Sequence, residues 1–362
     1  MRRTRIGPAP AFLAAALPLL LGANHSDNFY LTPDVPTDLG STTVLPWQIS
    51  RNDAGAYSAI LTLPPGTAID ALHRMDDGHW LLSVESPAIL GGIAAAPSDV
   101  LELYDYPGGY AERFDGVASG VPLNVNVDAV FLDGGDAGDL VLSFDVPATI
   151  GGQTFDPADL VRFDGSAFSL FLDASATVPP IPPTTNVTGA DRRGPLTILT
   201  FDVPTTLDGQ TFLPGQLVSW DGSGFSSFYM DPGWPAGSGI DALALLPQPG
   251  AVPPTIDVAL ASPPGGRLRL RITWEASCSA GAEDYAIYEG TIGSWYSHGA
   301  LDCSDDGGDR MEEFSPGSGN RYYLVVPLNA NDEGSYGVDT AMQEIPRGAT
   351  TCVPTQALGA CQ

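Results

Sequence analysis

A repeated unit of about 57 residues is the feature that most restricts the fold of this chain. The stretch LSFDVPATIGGQTF, residues 142–155, returns as LTFDVPTTLDGQTF at residues 199–212. The proline of this motif marks four units, at Pro36, Pro87, Pro147 and Pro204, which are 51, 60 and 57 residues apart. A period of this length is typical of repeat architectures in which each unit buries its apolar surface against its neighbours.

Short alternating apolar runs fill each unit and predict strands instead of helices. In the third unit the runs are LVLSFD, DLVRFD and FSLFLD, and the Asp164-Gly165 and Asp221-Gly222 steps predict tight hairpins with a positive φ. A fourth run, IDAL or VDAV, precedes each unit except one, where it is degraded to NVTGAD. Four antiparallel strands per unit correspond to one propeller blade.

The chain ends of the repeat region predict ring closure. The last run, IDALALL from Ile240, is not followed by the strand that normally comes next. FYLTPDVP, residues 29–36, matches that missing strand and stands at the beginning of the repeats. We therefore expect an all-β fold: a small, about four-bladed β-propeller over residues 28–247, closed by its N-terminal strand.

The layout of the unit, with an Asp-Ala at the start and FDG turns, resembles four-bladed hemopexin-like propellers. It is also similar to blade repeats of exported bacterial proteins. Haem binding is not carried over from this resemblance, because the repeat region contains only His73 and His79, both in one unit and expected on a surface hairpin.

A Pro/Gly-rich linker, residues 248–255, separates the repeats from a C-terminal region, residues 256–362. Its predicted strands are TIDVALA, RLRLRITWEA, DYAIYEG, RMEEF, RYYLVVPLN and SYGVDTAM, a series typical of a β-sandwich. The series around Trp274, Tyr323 and Val325 resembles a fibronectin type III domain, although Pro327 stands where that family has Ala and favours an edge strand. The resemblance implies that Trp274, Tyr285, Ile287, Tyr323 and Val325 form the core.

Composition and the N-terminus predict export. The 362-residue chain has 43 acidic and 15 basic residues, a formal charge of −28, and its basic residues are all arginines. Such a negative surface excludes nucleic acid as a partner, and the absence of lysine excludes P-loop and Schiff-base chemistry. MRRTR followed by AFLAAALPLLLGA predicts a signal peptide, residues 1–23, and a secreted, periplasmic or cell-surface protein without a transmembrane segment in the mature chain.

The four cysteines, which all lie in the last quarter of the chain, agree with export and predict disulfides. Pairing Cys278 with Cys303 and Cys352 with Cys361 closes the two shortest separate loops, so we expect this connectivity. A zinc site is disfavoured because the cysteines lack C-x-x-C spacing.

Two sets of residues are candidate metal or ligand sites. Asp70, Asp128 and Asp241 occupy the same place in three units, and converging strands would bring them together as an axial Ca²⁺ site; the alternative is that each caps its own turn. The oxygens of the acidic clusters Asp133–Asp139 and Asp302–Asp309 could also bind Ca²⁺, although neither cluster has EF-hand spacing; the alternative is that both are solvated turns. Aromatic residues in Gly/Pro loops, namely Trp234, Tyr106 and Tyr110, are candidate ligand contacts or lids over their own blades.

The sequence contains no recognisable catalytic motif. It therefore favours an exported, non-enzymatic binding or scaffold protein whose partner is an extracellular glycan or protein. The alternatives are an exported carboxylate-dependent hydrolase, such as a glycosidase acting at the propeller mouth, and a structural component of the cell envelope.

Overall fold

The computed structural model describes residues 28–104, 109–261, 268–306 and 309–358. The predicted signal peptide, Tyr106 and Cys361 lie outside these ranges. The described chain is all-β apart from one 3₁₀ turn, Ala174–Ala176. Among the residues described, no helix is long and apolar enough to cross a membrane.

Strands from Phe29 to Leu245 form four sheets of four antiparallel strands each, with four additional two-stranded hairpins. In chain order they are β1 Phe29–Pro33, β2 Thr37–Leu39, β3 Thr42–Val44, β4 Gln48–Asp53, β5 Ala56–Thr62, β6 Ile69–Arg74, β7 Trp80–Val84, β8 Ala88–Leu90, β9 Ile93–Ala95, β10 Val100–Leu103, β11 Tyr110–Phe114, β12 Val127–Asp133, β13 Asp139–Phe144, β14 Ala148–Ile150, β15 Gln153–Phe155, β16 Leu160–Phe163, β17 Phe168–Leu172, β18 Val187–Arg193, β19 Leu196–Phe201, β20 Thr205–Leu207, β21 Gln210–Phe212, β22 Gln216–Trp220, β23 Phe225–Met230 and β24 Ile240–Leu245.

The four sheets are the blades of a propeller. From the inner to the outer strand, blade 1 is β24-β1-β4-β5, blade 2 is β6-β7-β10-β11, blade 3 is β12-β13-β16-β17 and blade 4 is β18-β19-β22-β23. The inner strands β24, β6, β12 and β18 contact one another around the axis. The degraded run NVTGAD is nevertheless a complete inner strand, β18.

Blade 1 confirms ring closure by the N-terminal strand. β1 pairs antiparallel with β24 on one side, with Leu31 opposite Leu243, and with β4 on the other. All five residues of β1 are buried, because Phe29 and Leu31 pack towards blade 4 while Tyr30 packs towards blade 2. The two ends of the repeat region are therefore joined in one sheet.

Apolar cores lie between each pair of adjacent blades, so that both faces of every blade are buried. Side-chain hydroxyls also connect the blades near the axis. Thr32, Ser83 and Ser143 on the second strands donate to the carbonyl oxygens of Ile69, Val127 and Val187, which begin the next inner strands. One such hydrogen bond occurs in each of blades 1, 2 and 3, where it fixes the spacing to the next inner strand.

The hairpins between the second and third strands of each blade were not predicted from the sequence. They follow the motif proline and turn at glycine pairs such as Gly151-Gly152, with φ of +61° and +87°. The predicted Asp-Gly hairpins are present, and both Gly165 and Gly222 have φ of +90°.

The C-terminal region contains two three-stranded antiparallel sheets, ordered β25-β26-β29 and β28-β27-β30. The strands are β25 Ile256–Leu260, β26 Leu270–Trp274, β27 Asp284–Thr291, β28 Ser294–Asp302, β29 Met311–Phe314 and β30 Arg321–Leu328. We refer to this part as the C-terminal module. β28 was not predicted, and the expected strand SYGVDTAM contains only an isolated bridge between Val338 and Glu344.

The predicted core of the C-terminal module is largely buried. Trp274, Tyr285, Ile287 and Val325 are buried in one cluster, and Tyr323 packs against it. β30 lies at the edge of its sheet with Pro327 opposite Tyr285, as the proline predicted.

The predicted disulfide connectivity is wrong. Cys303 is bonded to Cys352, which excludes both expected pairs, and Cys278 is also disulfide-bonded. Tertiary contacts hold the segment around Cys352 against the sheet, and the lengths of the loops between cysteines give no sign of these contacts. The backbone N–H of Cys352 donates to the Tyr288 hydroxyl and to Oε1 of the fully buried Glu333.

Candidate functional site

The two ends of the inner strands carry different residues at equivalent positions. At the first end, where the inner strands begin, the equivalent residues are Asp241, Asp70, Asp128 and Thr188 in blades 1 to 4. Three residues further along, at the second end, they are Ala244, His73, Phe131 and Asp191.

A β-bulge recurs at the first end of every inner strand. The register shifts between Ile69 and Ala71, and at the equivalent points of the other three inner strands, so Asp70 and its counterparts are the extra residues. A bulge turns its extra side chain away from the regular alternation of the strand. The repeated Asp-Ala of the sequence therefore marks a backbone irregularity as well as a charge.

The first-end carboxyls are buried close to one another. Burial, followed by the negative charges of Asp128 and Asp241, raises the pKa of Asp70 well above its usual value. Burial also raises the pKa of Asp128 to about 7 and that of Asp241 to about 8. Asn126 and Asn186 donate side-chain N–H groups to Asp70 and Asp128, respectively. Burial and mutual repulsion thus favour the protonated form of these carboxyls, compared with an exposed aspartate.

The acidic residue of the FDVP motif has a different role. Asp145 and Asp202 accept hydrogen bonds from the backbone N–H groups of Asn126 and Asn186, both at 2.8 Å. Asp34 accepts in the same way from Gly239, also at 2.8 Å. These aspartates each hold the loop that leads into an inner strand, which explains their recurrence.

A cavity of about 660 Å³ opens at the second end of the axis. Its wall includes the ends of the inner strands, the loop Asp133–Ala137, the linker start Leu246–Gln248 and Cys278. These lining residues place the cavity, which we call the axial cavity, between the propeller and the C-terminal module. Its volume falls within the range of small-ligand sites.

Charged side chains of both signs line the axial cavity: His73, Arg74, Asp76, Asp133, Asp136, Asp191 and Arg192. Asp133 forms ion pairs with Arg162 and, at 2.6 Å, with Arg192. Asp136 accepts hydrogen bonds from the backbone N–H groups of Asp76 and Asp77 at 2.8 and 2.9 Å. Part of the acidic cluster Asp133–Asp139 therefore orders the rim.

His73 and Asp191 face each other at the second end of the inner strands. Nδ1 of His73 lies 3.5 Å from Oδ2 of Asp191 and is buried without a hydrogen bond. Asp191 is buried and accepts a 2.7 Å hydrogen bond from the backbone N–H of Leu245. The expectation that His73 lies on a surface hairpin is wrong, since it belongs to the inner strand β6; His79 does lie in the β6–β7 turn.

Asp76 is the lining carboxyl with a raised pKa. Burial, with the charge of Asp136 next in size, raises the pKa of Asp76 to about 6, while His73 lowers it. Its backbone carbonyl accepts a 2.6 Å hydrogen bond from the N–H of Ala280 in the C-terminal module. Asp76 thus connects the cavity wall to that module.

The C-terminal module is attached to the same end of the propeller by polar contacts. Arg51 of blade 1 forms an ion pair with Glu283, and Arg193 of blade 4 pairs with Asp332 at 2.9 Å. Asn28 and Asn331 exchange two hydrogen bonds of 2.8 and 3.0 Å. These contacts hold the module beside the axial cavity.

Two of the aromatic residues singled out from the sequence, Trp234 and Tyr110, lie elsewhere. The Trp234 ring packs against the backbone of Gly215 and the core between blades 4 and 1, and Nε1 donates to the carbonyl of Ser238 at 2.9 Å. The Tyr110 ring packs against Gly91 and the core between blades 1 and 2. Neither residue lines the axial cavity.

Sequence reasoning singled out part of the lining, the acidic cluster Asp133–Asp139, but missed four other lining residues. Arg74, Asp76, Asp191 and Arg192 stand at the ends of inner strands, where the repeats diverge. That divergence is the signal in the sequence that marks them.

Comparisons with known proteins give only distant structural likenesses. No family model and no curated protein matches the sequence. YCF48 from Cyanidioschyzon merolae is similar over 66% of this chain, with 11% identity and a TM-score of 0.24; the chain spans 61% of that protein. A Bacteroides caccae protein of unknown function aligns over 60% of this chain and 98% of its own, with 10% identity and a TM-score of 0.30. Streptogramin B lyase aligns over 78% and 69% of the two chains, with 12% identity and a TM-score of 0.21.

Proposed function

We propose that this protein is an exported binding protein that takes a polar group of an extracellular glycan or protein into the axial cavity. In this proposal residues 1–23 direct export, and the C-terminal module is a fibronectin type III-like sandwich that presents or encloses the partner. The role is non-enzymatic.

The observation that carries the proposal is the chemistry of the cavity wall. Asp191 and Asp76 supply carboxyl oxygens, His73 supplies an imidazole ring, and Arg192 supplies guanidinium N–H groups. Hydroxyl-rich and ammonium-bearing ligands satisfy such a mixture of acceptors and donors.

Binding to an array of neutral, cationic and anionic glycans, followed by calorimetry with the best ligand, tests the proposal. Asp191→Asn keeps the shape of the cavity but removes a charge, and we expect it to weaken binding at least about tenfold. Asp257→Asn is the matched control, because Asp257 is exposed on β25 and away from the cavity. Equal affinity in the two variants contradicts the proposal.

A carboxylate-dependent hydrolase, such as a glycosidase, is the second candidate. One observation favours it: four carboxyls, those of Asp76, Asp133, Asp136 and Asp191, line one cavity. Glycoside hydrolysis needs two carboxyl groups with different roles. Binding remains the preferred function because Asp133 and Asp136 are engaged by arginines and backbone amides. Release of reducing sugar from a bound glycan, abolished in Asp191→Asn, would replace binding by hydrolysis.

A further inference from the structure

A second polar cluster lies outside the axial cavity, beside the β6–β7 turn of blade 2. It contains Asp77 in the turn, His79 just before β7 and Glu102 on β10, with one donor atom from each within 4.8 Å of the others. Nδ1 of His79 lies 3.0 Å from Oδ2 of Asp77 and 3.0 Å from Oε1 of Glu102.

These distances match the ligands of a single small cation. Zn²⁺ binds imidazole nitrogen and carboxylate oxygen at about 2.0–2.2 Å, so neighbouring ligands in its coordination sphere are about 3 Å apart. One imidazole N–H can donate one good hydrogen bond, yet two carboxylate oxygens lie at that distance from Nδ1. A divalent cation satisfies both carboxylates and the nitrogen lone pair together.

Surrounding residues hold the three ligands in place. The second oxygen of Asp77 accepts a 2.9 Å hydrogen bond from the backbone N–H of His79, and the Tyr104 ring meets the imidazole edge-on at 4.7 Å. Arg113 lies 3.7 Å from the other oxygen of Glu102. Support of this kind orients metal ligands and limits their motion.

Exposure differs among the three ligands in a way that suits an open metal site. The Glu102 side chain is 10% exposed, that of His79 24% and that of Asp77 42%. The buried carboxylate anchors the cation, while the exposed side admits water and provides an entry path.

We propose that Asp77, His79 and Glu102 form a binding site for a divalent transition-metal ion of the zinc class, with solvent completing the coordination. Nitrogen and carboxylate donors suit Zn²⁺, Co²⁺ and Mn²⁺ better than Ca²⁺, which prefers six to eight oxygens. The site is separate from the axial cavity and does not depend on the proposed binding function.

A purely acidic group provides the internal control. Asp99, Glu112 and Asp115 also bring three ligand atoms within 4.8 Å, but they include no imidazole. The carboxylate oxygens of Asp99 already accept hydrogen bonds from the backbone N–H groups of Ala96 and Gly116. This group should not bind a zinc-class ion.

The experiment is calorimetric titration of Zn²⁺ into the full secreted chain, purified without a polyhistidine tag and stripped with chelator. Co²⁺ titration followed by visible absorption provides a second readout. We expect one equivalent in the wild type and at least about tenfold weaker binding in Asp77→Asn, His79→Gln and Glu102→Gln. Glu112→Gln should bind as the wild type does.

Melting curves without metal establish whether each variant folds. If Glu102→Gln fails to fold, Asp77→Asn still decides the test, because Asp77 lies in an exposed turn. Absence of Zn²⁺ binding in the wild type overturns the proposal. Undiminished binding in the folded Asp77 or His79 variants, or weaker binding in Glu112→Gln, also overturns it.

Discussion

The inner strands begin at a set of buried carboxyls and end at an open, charged cavity. At the first end the same residue type recurs in three blades, and each copy sits at the same β-bulge. At the second end the equivalent residues are all different, namely Ala244, His73, Phe131 and Asp191. The residue that recurs at the bulge belongs to the repeated blade structure. Of the four second-end residues, His73 and Asp191 line the axial cavity, whereas Ala244 and Phe131 are buried in the cores between blades.

Blade 4 shows which feature of the first end is kept when the aspartate is absent. Thr188 replaces the aspartate at the first end, and its hydroxyl donates to the Ile240 carbonyl of blade 1 at 2.7 Å. It thereby supplies the link to the next blade that Thr32, Ser83 and Ser143 supply elsewhere. The bulge is retained although the charge is lost, so the backbone geometry is the more general requirement of the first end.

The largest effect is expected from removing the strand on which both ends depend. Deletion of residues 28–36, with residues 1–27 retained, removes β1, leaves β24 without a strand partner, leaves β4 paired only with β5 and exposes the cores on both sides of blade 1. We expect loss of cooperative unfolding and aggregation, measured by thermal melting and light scattering. A truncated protein that melts like the full chain would contradict the role of closure.

The second prediction asks whether the first end also carries a ligand site. Trp234 lies in the loop that leads into β24 and packs against Gly215. Trp234→Ala should therefore lower the free energy of unfolding by about 2–3 kcal/mol, and Tyr110→Ala by about 2 kcal/mol. Urea denaturation measures both. An unchanged stability together with weaker glycan binding would make the altered ring a ligand contact. For Trp234 this result would make the first end functional, whereas Tyr110 lies level with the second end, since it pairs with Leu103 opposite Trp80.

The sequence predicts the propeller well because the repeat records it directly. Four units, four strands per unit and closure by residues 29–36 follow from comparing the chain with itself. The hairpins after each motif proline, two of which turn at Gly-Gly, were missed because their strands are only three residues long, which is too short for an alternating pattern to stand out. Strand β28 was missed because its residues are mostly exposed and carry little apolar periodicity.

The axial cavity and the disulfide could not be predicted from the sequence, for a different reason. Asp191 and His73 meet across the axis although 118 positions separate their numbers, and no local pattern connects them. The bond between Cys303 and Cys352 closes a longer loop than the expected pairs, because Glu333 and Tyr288 hold the Cys352 segment in place. Both features depend on tertiary contacts that spacing in the chain does not reflect.

The third prediction concerns pH and the first end. Since burial raises the pKa of Asp128 to about 7 and of Asp241 to about 8, the folded state holds protons that the unfolded chain has released. Stability from these groups is present below about pH 4 and is lost as the pH rises through about 8. We expect the free energy of unfolding to fall by on the order of 2 kcal/mol between pH 5 and pH 8.

Addition of Ca²⁺ tests whether the first-end aspartates bind a metal ion or are protonated. If Asp70, Asp128 and Asp241 bind Ca²⁺ on the axis, Ca²⁺ should restore the stability lost at pH 8 and chelator should remove it again. Asp241→Asn should reduce the pH dependence without added metal, because it removes one of the titrating groups. Stability that stays level or rises from pH 5 to pH 8 would show that the carboxyls are ionised in the fold.

The smallest effect is expected at the second end, and its sign is opposite. His73 is mostly buried, and its Nδ1 makes no hydrogen bond. His73→Leu removes that unsatisfied atom while keeping apolar contact, so the free energy of unfolding at pH 7.5 should rise by up to about 1 kcal/mol. The same substitution should weaken binding of the glycan identified on the array, because the cavity loses a polar group. If the variant is destabilised by 2 kcal/mol or more and its binding is unchanged, His73 is a structural residue. The second end would then serve the stability of the propeller, as the first end does.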